Sequence, residues 1–497
     1  MTMINLNNVT CGLVGLATFT LVLFYIKYAW KKRIMPPGPL PVPILGNVLQ
    51  LYSKGLIPYV LKMAEKYGPV YTLYFGSRPT VIVTGYQTVK EVLVDLGDTF
   101  LDRGTIPVFE RFYDKRGLPL SNGESWKQLR QFSLITLKDF GMGRKTLEEP
   151  MQEEAHHLVE YFRNTKGQPV NPSTIFSCAS SNIISSILVG KRYDYADEKW
   201  MKILQDMRDS FELISSPWGQ LYDAIPHILK YLPGPHRRIF PLLLNLKEIV
   251  KDSVSSHQET LDPTCPRDYI DCFLIRMEQE TLDPKTCFEK TNLISTVFDM
   301  FLGGAETTSV TINFGVLNLI KYPDVQEKLH EEIDHVIGHA REPKVEDRNQ
   351  MPYMNAVIHE IQRISDAIPM GCIRSTTRDV NLHGYRIPKG TDVLPVLTTV
   401  LRDSSQFETP EVFNIKHFLD ENGKFKKNNG FMPFAAGKRA CIAESLVRME
   451  LFIFFTTLLQ KFTLKSSEDP KELNIAPTER GIENIPPTHE VIFIPRQ

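Results

Sequence analysis

The segment Phe434-Ala435-Ala436-Gly437-Lys438-Arg439-Ala440-Cys441-Ile442-Ala443 sets a single thiol between a glycine-punctuated loop and an apolar helical run. Gly437 permits φ > 0, so the loop can bend sharply there. Downstream, Leu446, Met449, Phe452 and Ile453 recur at helical spacing and predict a buried helix. Cys441 then falls at that helix's N-terminus, where unpaired N–H groups and the positive dipole end favour a negative sulfur. No second cysteine stands at C-x-x-C distance, which argues against a closed zinc or iron–sulfur site. Haem needs only one axial protein ligand, and thiolate is one of the known choices. The neighbours fit that use. Phe434 can keep water from the sulfur, the N–H groups of Ile442 and Ala443 can bond it, and Arg439 can pair with a haem propionate. A lone cysteine is more often a small buried hydrophobe. The phenylalanine, glycine, arginine and helix in register with Cys441 tip the balance towards ligation.

Gly303-Gly304-Ala305-Glu306-Thr307-Thr308 lies inside the long apolar run Leu293 to Ile320 and reads as mid-helix. Each glycine there costs about 1 kcal/mol against alanine. The Thr307 hydroxyl competes for the carbonyl of Gly303, four residues earlier. A local distortion of the helix is expected, of the kind that often marks a functional site. The competing structural reading is that paired glycines let another helix pack closely. Glu360 and Arg363, three apart, share a helix face. Trp126 and Arg130 are i,i+4 neighbours after Ser121-Asn122-Gly123.

The pattern Phe-x-x-Gly-x-Arg-x-Cys-x-(Gly/Ala) resembles the haem-binding signature of the cytochrome P450 family. Phe431-Met432-Pro433-Phe434 through Leu451 is most similar to its microsomal, vertebrate family 2 branch. The resemblance implies a fold that is mainly α with a small β region, preceded by an N-terminal transmembrane helix. It implies haem b as cofactor with Cys441 as the iron ligand. Trp126, Arg130, Arg374, Phe434 and Arg439 become cofactor-binding residues. Thr307 and Glu306 become the catalytic pair that handles protons while O–O is split. Phe413 through Phe418 matches the segment supplying His417 as third partner of Glu360 and Arg363, a structural cluster. Three departures stand out: Ala443 where glycine is commoner, Gly303 where alanine is, and Ile415 where proline is.

The 497 residues include 42% apolar side chains and carry a formal charge of -1, which argues against a nucleic-acid partner. Seven scattered cysteines fit a reducing compartment better than a disulfide framework. From Val9 to Ile26 there is no charged residue, and Lys27, Lys31, Lys32 and Arg33 follow. That run just reaches a membrane span, with the basic flank cytosolic and the extreme N-terminus luminal. A cleaved signal would want basic residues before the run and a small-residue cleavage site after it, and both are missing. Asn8-Val9-Thr10 is a glycosylation sequon that abuts the span. The expected division is residues 1–33 as luminal end and anchor, 34–47 as a stiff proline-rich hinge, and 48–497 as one catalytic haem domain. The resemblance places it as a single-pass protein of the endoplasmic reticulum membrane with a cytosolic catalytic domain.

Helical periodicity predicts helices over Leu147–Asn164, Pro172–Leu188, His236–His257 and Cys287–Ile320. A β-hairpin is predicted over Val70–Thr84, and strands over Leu382–Pro388 and Asp392–Val396. By resemblance the substrate pocket gathers Arg103–Leu120, Leu204–Ile214, Val297–Ala305, Ile368–Ile373 and Gly481–Ile485, whose apolar members favour a lipophilic substrate. Arg103, Arg111 and Arg116 are each open to a substrate carboxylate, to solvent or to a propionate. An apolar stretch from Trp218 to Leu232 is expected partly to dip into the bilayer, internal packing being the alternative. With no flavin or dinucleotide fingerprint, electrons must come from a partner. NADPH–cytochrome P450 reductase is expected, with cytochrome b5 as a second donor, meeting a basic face of Lys127, Lys138, Arg144, Lys145 and Lys438. The function implied is monooxygenation of xenobiotics or polyunsaturated fatty acids such as arachidonate. Its rivals are a haem-thiolate peroxide isomerase and a non-catalytic haem sensor or carrier.

Overall fold

The computed structural model describes residues 35–113, 116–142 and 147–496, together with positions 15, 18 and 19. Apart from those three positions the expected anchor lies outside the described residues, as do the sequon at Asn8, the basic flank and two members of the basic face, Arg144 and Lys145. Among those described, no helix is long and apolar enough to cross a membrane.

The helices that frame the site are α1 (Gly123–Asp139), α2 (Glu148–Asn164), α3 (Ser173–Leu188), α4 (Glu198–Ser215), α5 (Pro217–Ala224), α6 (Ile239–Thr260), α7 (Tyr269–Gln279), α8 (Lys290–Lys321), α9 (Pro323–Val336), α10 (Pro352–Ser365) and α11 (Glu444–Lys461). Their starts follow elementary chemistry. Asp197 and Asp268 accept the third backbone N–H of α4 and α7. Pro217, Pro323 and Pro352 open α5, α9 and α10, where a missing N–H does no harm. Helix α8 is buried on nearly every side and forms the axis of the main core.

Strands β1 (Val70–Phe75), β2 (Arg78–Val83), β3 (Asp102–Arg103), β4 (Arg374–Ser375) and β7 (Asp392–Pro395) make one sheet in the order β1-β2-β7-β4-β3. Only the β2–β7 pairing is parallel. Alternation splits its faces: Val81 and Val83 join one apolar cluster and Ile82 another. The register sets Arg103 directly opposite Arg374. Among the described residues three two-stranded sheets complete the β structure: β5 (Val380–Leu382) with β6 (Tyr385–Ile387), β8 (Phe462–Lys465) with β11 (Ile492–Pro495), and β9 (Glu479–Arg480) with β10 (Asn484–Ile485).

Most expected elements are present within a few residues. The segment expected as one strand over Leu382–Pro388 is instead the β5–β6 hairpin, turned at His383 and Gly384 with φ of 50° and 83°. Positive φ at both central residues is the hairpin turn that matches strand twist. Residues Pro235–Arg238 form a 3-10 turn ahead of α6, so that helix starts later than the expected His236. Likewise α8 starts at Lys290 and not at Cys287. The distortion expected at Gly303-Gly304 does not interrupt α8, which stays helical from Lys290 to Lys321. The two glycines have separate uses. A Cβ on Gly304 would sit 3.2 Å from the Ile184 side chain of α3, whereas one on Gly303 would meet nothing within 4 Å.

Candidate active site

The loop that presents Cys441 is held by a close approach. Gly437 has φ of 75°, and a Cβ there would fall 1.9 Å from the carbonyl oxygen of Leu93. Only glycine fits. The chain then makes a 3-10 turn over Gly437–Arg439, and the N–H of Cys441 donates to the carbonyl of Phe434 at 3.0 Å. Helix α11 begins only at Glu444. Cys441 therefore precedes the helix instead of occupying its first turn, and the expected lowering of its pKa by the dipole fails. Burial pushes the thiol up to about 11, Glu444 and Cys372 push the same way, and the Ala443 N–H and Arg130 oppose them. A thiolate at this position calls for a cation of its own, as a coordinating metal supplies. The Cys441 side chain nonetheless has free surface. A group surrounded by protein yet exposed lies on the wall of an interior space. Phe434 is half-buried, with the Arg448 guanidinium 5.3 Å from its ring. Arg448 is tied to Glu444 at 2.8 Å and to His359 at 2.8 Å, which fixes the loop against α10 and α11. Burial and Arg448 push His359 down to about 3, so it accepts from Arg448 as a neutral ring.

Four guanidiniums converge beside this loop. Arg439 lies with its Cζ 3.9 Å from the centre of the Trp126 ring and donates to the carbonyls of Leu101 and Ser121 and to Asn122 Oδ1. Arg130, also beside Trp126 at 6.0 Å, donates to the carbonyl of Ala440 at 2.8 Å. Arg374 is buried and faces Arg103 across the β3–β4 pair. Burial first, and the other arginines next, push Arg374 down to about 9 and Arg439 down to about 8. Arg374 Nε and Arg439 Nη1 are buried without a partner. Like charges opposed on adjacent strands are unfavourable, and buried cations without counter-charge more so. The set fits a ligand that brings its own carboxylates to the Cys441 loop, which is what the two propionates of a haem are. Trp126, Arg130, Arg374 and Arg439 are thus brought together as the sequence expects, and Arg103 joins them.

On α8, Thr307 Oγ1 donates to the carbonyl of Gly303 at 2.7 Å, the bond that competes with the helix ladder. Glu306 is buried, and its pKa is raised by burial and opposed by Arg208 of α4, whose Nε lies 3.9 Å from Glu306 Oε1. Arg208 also donates to the Ser173 carbonyl and to Ser177 Oγ. Glu483, fully buried in the β9–β10 turn, has neither carboxyl oxygen hydrogen-bonded. Burial and the nearby Glu306 hold Glu483 well above the usual carboxylate range, against the pull of Arg208, so it is the neutral member of the pair. Arg208 and Glu483 were missed from the sequence. For Glu483 the available signal was a lone charge in the otherwise uncharged pocket segment Gly481–Ile485; Arg208 sits among other charged residues of Leu204–Ile214 and gave none.

Glu360, Arg363 and His417 do meet. Arg363 forms a two-point bond to Glu360 at 2.7 Å and donates to the carbonyls of Leu401, Pro410 and Val412. His417 lies 3.2 Å from Glu360, which also accepts the N–H of Asn414. On the surface, Lys438 and Lys127 flank Asp98 and both influence it, while Lys127 also pairs with Glu124. Among the described cysteines none is in a disulfide.

The cytochrome P450 family model matches residues 36–493 of this chain. Mouse cytochrome P450 2F2 is 48% identical over 455 residues, 92% of this chain and 93% of its own. Rat cytochrome P450 2G1 is 46% identical over 483 residues, covering 96% and 98%. Human cytochrome P450 2C8 is 45% identical over 478 residues, again covering 96% and 98%. The convergence of a loop cysteine with an uncompensated arginine cluster, on a chain with relatives of this similarity along almost its whole length, identifies it as a family 2 member of the cytochrome P450s, a haem-thiolate monooxygenase.

Proposed function

We propose that this enzyme oxidises lipophilic substrates, foreign compounds or polyunsaturated fatty acids such as arachidonate, by hydroxylation or epoxidation with electrons from NADPH through NADPH–cytochrome P450 reductase. Bound haem supplies the splitting of dioxygen and the insertion of one oxygen atom. The chain's own residues do the rest. Cys441 would supply the sulfur that holds the iron, with the Ala443 N–H on it and Phe434 beside it. Arg103, Arg130, Arg374 and Arg439 would hold the propionates, and Trp126 backs Arg130 and Arg439. The observation that carries this reading is that cluster: four guanidiniums, two with unpartnered buried donors, beside the cysteine loop.

Thr307 keeps its proton on the Gly303 carbonyl, and rotating the hydroxyl delivers it into the open space beside Gly303. Glu306 and the neutral Glu483 form a buried reserve of protons next to Arg208. The same acid–alcohol pair favours a monooxygenase over a peroxide isomerase or a haem carrier. Residues 9–26 would anchor the enzyme in the endoplasmic reticulum membrane, with residues 48–497 in the cytosol. The hinge supports a fixed attitude to the bilayer: Thr72 of β1 donates to the carbonyls of Pro36 and Pro37, and Gly38 is pressed against Thr72. Exposed Trp218, Ile228, Tyr231 and Leu232 support contact with lipid.

The test is the carbon monoxide difference spectrum of the dithionite-reduced protein, alongside Cys441→Ser. A strongly red-shifted Soret band lost in the variant supports the reading, and a band typical of histidine ligation overturns it. Substrate-dependent NADPH consumption with reductase then separates the monooxygenase from both rivals. Thr307→Ala is expected to keep NADPH consumption while product falls severalfold.

A further inference from the structure

We infer that the surface between α5, α6 and the turn Pro235–Arg238 holds one anionic membrane lipid by its phosphate. A cavity of about 260 Å³ opens there. Arg111, Lys230 and Arg237 supply its charge, and among the described residues no acidic one lines it. Among the described residues none of these three meets a carboxylate. Arg111 instead stacks its guanidinium 3.9 Å from the Phe240 ring, an arrangement that leaves its N–H groups free for a phosphate. The wall between the cations is built: His236 is fully buried, ring-stacked with Tyr222, and bonded through Nε2 to the Leu229 carbonyl at 2.9 Å. Its Nδ1 is buried with no partner, and the ring adds no competing anion to the cavity.

What singles out a lipid is the apolar surround. Leu244 on the cavity rim and Trp218, Ile228, Tyr231 and Leu232 nearby are all exposed, between 41% and 75%. A phosphate seated in the cavity would bring its acyl chains onto these side chains, so charge and grease address one amphiphile. The inference rests on the proposal that the enzyme is membrane-bound, but its readout needs no turnover.

The test uses the full chain in phosphatidylcholine nanodiscs with a minor fraction of dioleoyl phosphatidic acid, and counts lipids retained in native mass spectra. One retained phosphatidic acid per wild-type chain is expected. Arg111→Gln/Lys230→Gln/Arg237→Gln should weaken that binding roughly a hundredfold, while the charge-matched Lys62→Gln/Lys328→Gln/Lys424→Gln should not. Equal loss in both variants would mean diffuse surface charge and overturn the site. Displacement by inorganic phosphate at the lipid's own concentration would make it a plain anion pocket and overturn the lipid. Should the triple variant fail to fold, the wild-type chain decides: no preference for phosphatidic acid over phosphatidylcholine removes the inference. A normal carbon monoxide spectrum with no lipid retained would separate failure here from failure of the monooxygenase reading.

Discussion

Two buried polar clusters in this enzyme are built on opposite terms. In the first, Glu360, Arg363 and His417 satisfy one another and several backbone carbonyls, and every donor nitrogen of Arg363 is used. In the second, Arg208, Glu306 and Glu483 lie together with an arginine Nε and two Glu483 carboxyl oxygens that have no hydrogen bond. Buried polar groups are normally bonded, so exceptions ask for a reason. The first cluster is finished and acts as scaffold. The second is unfinished, with carboxyl oxygens that no hydrogen bond fixes.

The widest gap between the two should appear on truncation. Glu360→Ala strands a buried guanidinium, and a loss of about 3–5 kcal/mol is expected, read as a large drop in the thermal midpoint and in haem content. Arg208→Ala should be far milder because its partners are already half-neutral; an equal loss would erase the distinction. Next in size is Gly437→Ala, where a positive φ and the Leu93 carbonyl oppose any side chain. It should cost about 1–3 kcal/mol and blur the Soret band, with Cys441 still present.

A pH series sharpens the comparison. Glu483 has a raised folded pKa, so the folded state holds a proton that the unfolded chain gives up near pH 4.3. Its stabilising effect is present below that value and is lost as pH rises towards the folded pKa. Glu483→Gln, a neutral mimic, should therefore gain stability over wild type with rising pH, by about 1.4 kcal/mol per unit within that window. A flat difference would mean that Glu483 is ionised when buried. The smallest effect concerns α8. Gly303→Ala should stabilise the helix by about 1 kcal/mol while crowding the space beside it, whereas Gly304→Ala should lose that gain against Ile184. Paired thermal midpoints decide.

The loop chemistry was legible because it is contiguous: Phe434, Gly437, Arg439 and Cys441 occupy eight successive residues. So was the hydroxyl bond from Thr307 to Gly303, which helical spacing dictates. Convergence of distant segments was not. Nothing local says that Arg103 pairs in register with Arg374, or that a turn near the C-terminus delivers Glu483 to a charge on α4. The thiol's raised pKa escaped for a different reason. A dipole argument needs the residue inside the first turn, and three residues of offset let burial win. The β5–β6 hairpin was hidden because His383 takes a backbone conformation in which glycine is the expected residue.

The facing arginines of β3 and β4 also bear on how the protein comes to exist in a cell. Strands only two residues long, opposed by like charge, have little reason to pair until an anion arrives between the cations. Cofactor insertion is then part of folding, and it joins segments made early and late in synthesis, from Arg103 to Arg439. Haem supply should set how much of this chain survives quality control, so the abundance of the enzyme follows the cell's porphyrin economy as well as its message.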